Sequence, residues 1–191
     1  MTKAHNAALM KSSRPSSGQN GFVLTELLLT IGIVAVVLSA IAAVAIATGG
    51  SQSAQNEARL MDSAASKIRS LYASRPDYAG LTTEASVQLG AWPESMVAAA
   101  DDVRNTWGQP VTVENTGAGK RTFDIVWSNV PEESCSDFAT AQTSAIGIAV
   151  AGTEVYSREP GSAADDPVDV ALVAAECNNA PVDITFTFGK I

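Results

Sequence analysis

The sequence is poor in the residues that most catalytic and metal sites use. Its 191 residues include a single histidine, His5, and two cysteines, Cys135 and Cys177. One histidine near the N-terminus excludes histidine-based catalysis and zinc ligation by histidine. There is no C-x-x-C redox motif, no glycine-rich phosphate loop after a strand and no G-x-S-x-G nucleophile motif. We therefore expect no enzymatic activity, no catalytic residue and no cofactor.

Three pairs of adjacent acidic residues are candidate metal ligands: Asp101–Asp102, Glu132–Glu133 and Asp165–Asp166. Carboxylate oxygens are the ligands that calcium prefers, but none of these pairs lies in a loop with the spaced oxygen ligands of an EF-hand. The last pair falls in a loop-like stretch between two prolines. We therefore predict no metal site.

Basic residues are outnumbered, and the two signs are unevenly distributed. The chain has 12 basic and 20 acidic residues, a formal net charge of −8. Residues 1–21 contain Lys3, Lys11 and Arg14 and no acidic residue, which leaves a charge of −11 on the remainder. Because a strongly acidic domain repels phosphate groups, we expect it not to bind nucleic acid.

Charge is absent altogether from Leu27 to Asn56. An apolar run from Phe22 to Ala47 overlaps this window, and its few polar interruptions are Thr25, Glu26, Thr30 and Ser39. As a helix the run would be about 39 Å long, enough to cross the roughly 30 Å hydrocarbon core of a bilayer. The rest of the chain has the mixed composition of a water-soluble domain. We therefore predict a soluble domain carried on one hydrophobic segment.

Three interpretations of the N-terminal segment compete. It could be a secretory signal cleaved after Ala47, which would release a soluble binding domain. It could be a permanent single-span anchor with its basic end in the cytoplasm. It could also be a leader that is removed before the apolar run, after Gly21.

Glu26 favours the third interpretation. A carboxylate within an apolar helix costs up to roughly 2.5–3.5 kcal/mol in a bilayer, and neither a signal peptide nor a simple anchor has a use for it. Cleavage after Gly21 would give Phe22 a charged α-amino group at the positive end of the helix dipole. Glu26, four residues further on, could neutralise that amino group or the amino group of a neighbouring parallel helix.

The segment Gly21-Phe22-Val23-Leu24-Thr25-Glu26, followed by three leucines and an apolar helix, resembles the type IV prepilin signature. The resemblance implies cleavage between Gly21 and Phe22, N-methylation of Phe22 and a role for Glu26 in assembly. It divides the chain into a basic leader (1–21), a hydrophobic transmembrane and assembly helix (22–50) and a soluble head (51–191).

The resemblance also implies a function and partners. The expected product is the structural subunit of a type IV pilus filament, held in the inner membrane as a precursor and then polymerised with itself at the cell surface. Its expected partners are a prepilin peptidase, an inner-membrane platform protein and an assembly ATPase. A minor pilin or pseudopilin of a secretion or conjugation apparatus is the alternative, together with the exported soluble domain described above.

The hydrophobic segment is predicted to be the first half of a long helix from Phe22 to about Ser74, which Pro76 ends. The Thr48–Ser51 segment, with two glycines, marks either the end of the membrane helix or a flexible point. Apolar residues at helical spacing should pack on a sheet: Ala54, Ala58, Met61, Ala65, Ile68 and Tyr72. Charged residues, Glu57 among them, are assigned to the positions off this stripe.

The remainder predicts an α+β fold in which this helix packs on antiparallel strands. We expect strands at 111–113, 122–127, 147–156 and 183–188, with a hairpin turn at Gly117–Gly119. A helical turn is expected at 94–100 and a helix at 131–143, whereas 82–89 and 168–175 are ambiguous between helix and strand. The three tryptophans are interpreted as core or loop anchors. The segments Asn105–Gly108, Val130–Pro131 and Ala174–Asn178 resemble those of type IVb, PilS-like pilins.

Cys135 and Cys177 are expected to form a disulfide, because export across a membrane would place them where thiols are oxidised. A bond closing so long a loop would stabilise the fold by roughly 4 kcal/mol.

Overall fold

The computed structural model describes residues 20–142, 144–158 and 167–190, and the side chains of all of these except 20–23 and 40–48. The chain divides into two compact units, Met1–Val44 and Ala45–Ile191. The leader residues 1–19, Thr143 and the acidic pair Asp165–Asp166 lie outside the described residues.

The first helix, α1, extends over Asn20–Leu71. It is helical throughout Thr48–Ser51, so the helix does not end at the two glycines, and a flexible point there stays a prediction. It ends before the expected Ser74, and a turn follows in which the amide of Arg75 donates to the carbonyl of Tyr72 (3.0 Å). Over the described part of the chain, no helix combines the length and the apolar character needed to cross a bilayer. The transmembrane use of residues 22–50 therefore stays a prediction.

In the described part of the chain, seven antiparallel strands form one sheet in the order β1-β2-β3-β4-β7-β5-β6. Their bounds are β1 Val97–Ala99, β2 Asp102–Arg104, β3 Pro110–Thr116, β4 Thr122–Val130, β5 Gly147–Val150, β6 Thr153–Ser157 and β7 Val182–Gly189. The last strand, β7, lies in the interior of the sheet because it pairs with β4 on one side and β5 on the other. The predicted α+β class is confirmed.

Two sequence predictions need correction. The helical turn expected at 94–100 is confined to residues 94–96, where the amides of Met96 and Val97 donate to the carbonyls of Pro93 and Glu94 (3.0 and 3.2 Å). β1 follows at Val97–Ala99, and Val97 pairs with Val103 of β2, so strand pairing overrides the local helical preference of alanine there. The single strand expected at 147–156 is two strands, β5 and β6. They are joined at Ala151 and Gly152, whose positive φ angles (51° and 80°) form the turn.

The helical stripe and the sheet share one hydrophobic core. All six stripe residues, from Ala54 to Tyr72, are buried in the same cluster as the inward-facing residues of the strands. On β4 these alternate as Phe123, Ile125 and Trp127, all fully buried. The expected packing of α1 on the sheet is confirmed, and so is the interpretation of the tryptophans: Trp92 and Trp127 are buried and Trp107 packs against the core.

Among the described residues, three further α-helices follow α1: α2 Thr83–Gln88, α3 Glu132–Thr140 and α4 Val170–Cys177. The sequence left α2 and α4 ambiguous, and both begin at capping side chains, Thr82 and Asp169, that accept from backbone amides. A disulfide joins Cys135 of α3 to Cys177 of α4, with 5.7 Å between their Cα atoms. The expected cysteine pairing is therefore present.

Candidate functional site

The part of α1 from residue 24 to residue 39 is an exposed apolar helix. Its large aliphatic side chains are between 51% and 70% exposed: Leu24, Leu27, Leu28, Leu29, Ile31, Ile33, Val34, Val36, Val37 and Leu38. Soluble proteins rarely leave so continuous an apolar surface in water unless it binds another molecule. This stretch is the leading candidate for an interaction surface.

Glu26 carries the only charge in this stretch, and its side chain is exposed. Gly21 and Phe22, the expected cleavage pair, lie in the first turn of α1, whose first residue is Asn20. The hydroxyl of Thr30 donates to the carbonyl of Leu27 (2.8 Å), and the hydroxyl of Ser39 donates to the carbonyl of Ala35. Both hydroxyls therefore find hydrogen-bond acceptors within the helix. Residues 24–39 therefore contain no positive charge that could neutralise Glu26.

A second acidic residue of α1 occupies a contrasting environment. Glu57 is 1% exposed, and its two carboxylate oxygens accept separate hydrogen bonds. Oε1 accepts from the backbone amide of Thr106 (3.1 Å) and Oε2 accepts from the indole Nε1 of Trp127 (2.9 Å). Burial raises the pKa of Glu57 above its usual value, and the two hydrogen bonds oppose that rise.

The loop that meets Glu57 is held rigid by Asn105. Its Oδ1 accepts from the amides of Trp107 (3.1 Å) and Gln109 (2.9 Å), and its Nδ2 donates to the carbonyl of Ser128 on β4 (3.1 Å). Gly108 takes a positive φ of 75°, which closes the turn. The Asn105–Gly108 segment therefore serves to present the Thr106 amide to α1.

The assignment of Glu57 to a position off the apolar stripe is wrong. Glu57 lies three positions after Ala54 and four before Met61, so it shares the face of the apolar stripe. This spacing was the sequence signal that could have indicated the burial of Glu57. The polarity of the residue concealed it, because the sequence does not show which distant donors will satisfy a buried carboxylate.

Close to its midpoint α1 docks on α3 through Gly50. A Cβ at this position would lie 2.6 Å from the carbonyl oxygen of Glu133, so only glycine permits the approach. The hydroxyl of Ser134 donates to the carbonyl of Gly50 (3.1 Å), and the hydroxyl of Ser51 hydrogen-bonds Asp137. Two turns further on, the Nε2 of Gln142 donates to the carbonyl of Ala58 (2.9 Å).

Asp102, Glu132 and Glu133, three residues of the acidic pairs, have structural explanations that involve no metal. Asp102 forms an ion pair with Arg104 (2.8 Å), and Glu132 and Glu133 lie in the first turn of α3, where the helix dipole favours negative charge. Within residues 20–142, 144–158 and 167–190, no group of three metal-ligating side chains is assembled.

Comparison with known families decides the classification. A family model described as PilS N terminal matches residues 51–189, which include the core face of α1, the whole sheet and both cysteines. The chain belongs to the PilS family of type IV pilins. The sequence resemblance to PilS-like pilins is thereby confirmed.

A solved structure similar to this pilin is the crystal structure of TcpA, a type IV pilin from Vibrio cholerae El Tor biotype. The TM-score is 0.52 at 18% identity, over 71% of this pilin and 98% of the TcpA chain. At that identity the likeness concerns the fold. No curated protein matches the sequence of the pilin.

Proposed function

We propose that this pilin is the structural subunit of a type IV pilus filament and that the exposed apolar helix holds its subunits together. The observation that carries the proposal is the surface of residues 24–39, which is apolar, exposed and interrupted by one carboxylate. Membership of the pilin family supports it. An interior built from such helices gives the filament its cohesion, and the heads form its surface.

Burial of this surface among neighbouring helices stabilises the filament against release of free subunits into water. Full burial of one Val, Leu or Ile side chain stabilises by about 1.5–3 kcal/mol, and ten such residues are more than half exposed on the free helix. Part of that gain is offset by the rotational and translational entropy lost on assembly. The remaining free energy is ample for a stable polymer.

The proposed processing step creates the partner of Glu26. Cleavage between Gly21 and Phe22 by a prepilin peptidase frees an α-amino group, on which Phe22 is N-methylated. The methylated amine keeps its positive charge. Packed among apolar helices, the Glu26 carboxylate would be strongly destabilising unless paired, and the charged amine of its own or a neighbouring subunit provides the pair.

Before assembly, the proposed location of the precursor is the inner membrane, with the helix of residues 22–50 inserted. This part rests on the nearly unbroken apolar sequence from Phe22 to Ala47. An inner-membrane platform protein and an assembly ATPase are the proposed partners for extraction into the filament, which then lies on the cell surface.

Substitution of Glu26 tests the proposal. In cells that carry the pilin as their only copy, Glu26→Val should be processed normally but yield at least tenfold less filament in the sheared fraction. Ser39→Ala is the matched control, since Ser39 lies on the same exposed helix and bonds only within it. Normal filament yield from Glu26→Val would refute the pairing role, and loss of filament from both variants would show only that the helix tolerates no change.

A further inference from the structure

A groove of about 420 Å³ opens between the C-terminal part of α1 and the end of β7. Its lining residues are Ser66, Arg69, Ser70, Ala73, Tyr78 and Lys190. The volume lies within the range of about 300–1,000 Å³ that is common for small-molecule sites. None of its lining residues belongs to the apolar surface of residues 24–39.

Two uncompensated cations line this groove. Arg69 is half-buried with its guanidinium 5.8 Å from the ring centre of Phe188, and the Nζ of Lys190 is 5.9 Å from the ring centre of Tyr78. Among the described residues, only Arg104 and Asp102 form an ion pair, so neither groove cation is neutralised by an acidic side chain there. In a chain with 20 acidic residues, two cations that line one groove and form no ion pair with a described residue make a local positive site.

A buried hydroxyl at the same place lacks a partner. Tyr78 is fully buried, and its Oη makes no hydrogen bond. The ring is held by Tyr72 and Phe123, at centroid distances of 5.4 and 4.8 Å. Burial raises the pKa of Tyr78, although the nearby Arg69 opposes the rise, so the hydroxyl is a proton donor at neutral pH. A buried donor without an acceptor is destabilising, and an acceptor atom of a ligand that reached it from the groove would relieve it.

The chemistry of the lining identifies the ligand class. Arg69 and Lys190 supply charge, Tyr78 supplies a donor, and the exposed hydroxyls of Ser66 and Ser70 can donate or accept. A single carboxylate would use the cations but leave most of the groove empty. We propose that this groove binds a small hydroxylated carboxylate of the size of a sugar acid, with the carboxylate between Arg69 and Lys190 and the ligand hydroxyls on the serines.

Calorimetric titration of the full chain in neutral detergent micelles tests the site. The probe is glucuronate, and glucose, which lacks the carboxylate, is its neutral counterpart. Glucuronate should bind and glucose should not. Arg69→Gln and Lys190→Gln should each weaken glucuronate binding by at least tenfold. Lys67→Gln is the matched control, because Lys67 is exposed on the same helix and does not line the groove, and its affinity should be unchanged.

Tyr78→Phe gives an independent readout. It keeps the ring and removes the unpaired hydroxyl, so it should raise the Tm of the ligand-free protein and weaken glucuronate binding several-fold. The proposal is overturned if glucose or inorganic phosphate binds as tightly as glucuronate, if Arg69→Gln and Lys190→Gln both bind like the parent chain, or if Lys67→Gln weakens binding equally.

Discussion

The carboxylate of Glu57 accepts a hydrogen bond of 2.9 Å from the indole nitrogen of Trp127, a residue seventy positions further along the chain. The bond crosses the core from α1 to β4. With the second bond, from the amide of Thr106, it fixes the helix, the sheet and the 105–109 turn to one another. The same helix that exposes its apolar first part thus has a polar attachment to the head in its second part.

Removal of this attachment should destabilise the head. Glu57→Ala leaves the Trp127 indole and the Thr106 amide without acceptors, and the free energy of unfolding should fall by about 2–4 kcal/mol. Urea unfolding of the full chain in detergent, followed by tryptophan fluorescence, measures it. Arg59→Ala, an exposed change two residues away, should stay within about 0.5 kcal/mol of the parent. Equal effects from the two variants would mean that the Glu57 bonds contribute nothing specific.

The same residue should make stability depend on pH. Burial raises the folded-state pKa of Glu57 above 4.5. The folded state therefore binds this proton more tightly than the unfolded state, and the contribution is fully present below about pH 4.5 and is lost as pH rises through the folded-state pKa. Relative to Glu57→Gln, which cannot titrate, the parent should gain stability as pH is lowered through that window. Parallel unfolding curves of the two proteins, with a constant difference across pH, would contradict the raised pKa.

The adjacent glycines of α1 should respond with opposite signs. Gly50→Ala places a Cβ 2.6 Å from the Glu133 carbonyl and should destabilise by about 1–3 kcal/mol. Gly49→Ala meets no atom within 4 Å and should stabilise the helix by about 0.5–1 kcal/mol. Thermal unfolding of both variants, measured side by side, checks the pair. A stabilising Gly50→Ala would show that α1 does not approach α3 this closely.

Local patterns in the sequence predicted much of the fold. The spacing of Ala54, Ala58 and Met61 indicated the buried face of α1, and alternation in 122–127 and 183–188 indicated two central strands. The insertion of β7 between β4 and β5 could not be predicted in this way, because strand order depends on pairing between distant segments. Local signals also extended the turn at 94–96 too far, because the alanines that follow favour a helix, whereas Val97 pairs with Val103 in the sheet.

The candidate functional residues differ in the same way, because the sequence revealed some of them and not others. Glu26 was recognisable because a charge within an apolar run conflicts with its surroundings in the sequence itself. Glu57 and the groove at Arg69 were not, since each depends on residues that only the folded chain brings together: Trp127 for the first, Lys190 for the second.

The central claim, a processed subunit of a filament, is tested most directly by the mass of the protein in sheared surface fibres, with sequencing of its N-terminal peptide. The account predicts a chain that begins at Phe22, carries the added mass of one methyl group and retains Glu26. A chain that begins at Thr48, found in the medium and not in fibres, would contradict it, because the apolar helix and Glu26 would then have been discarded before the protein acted.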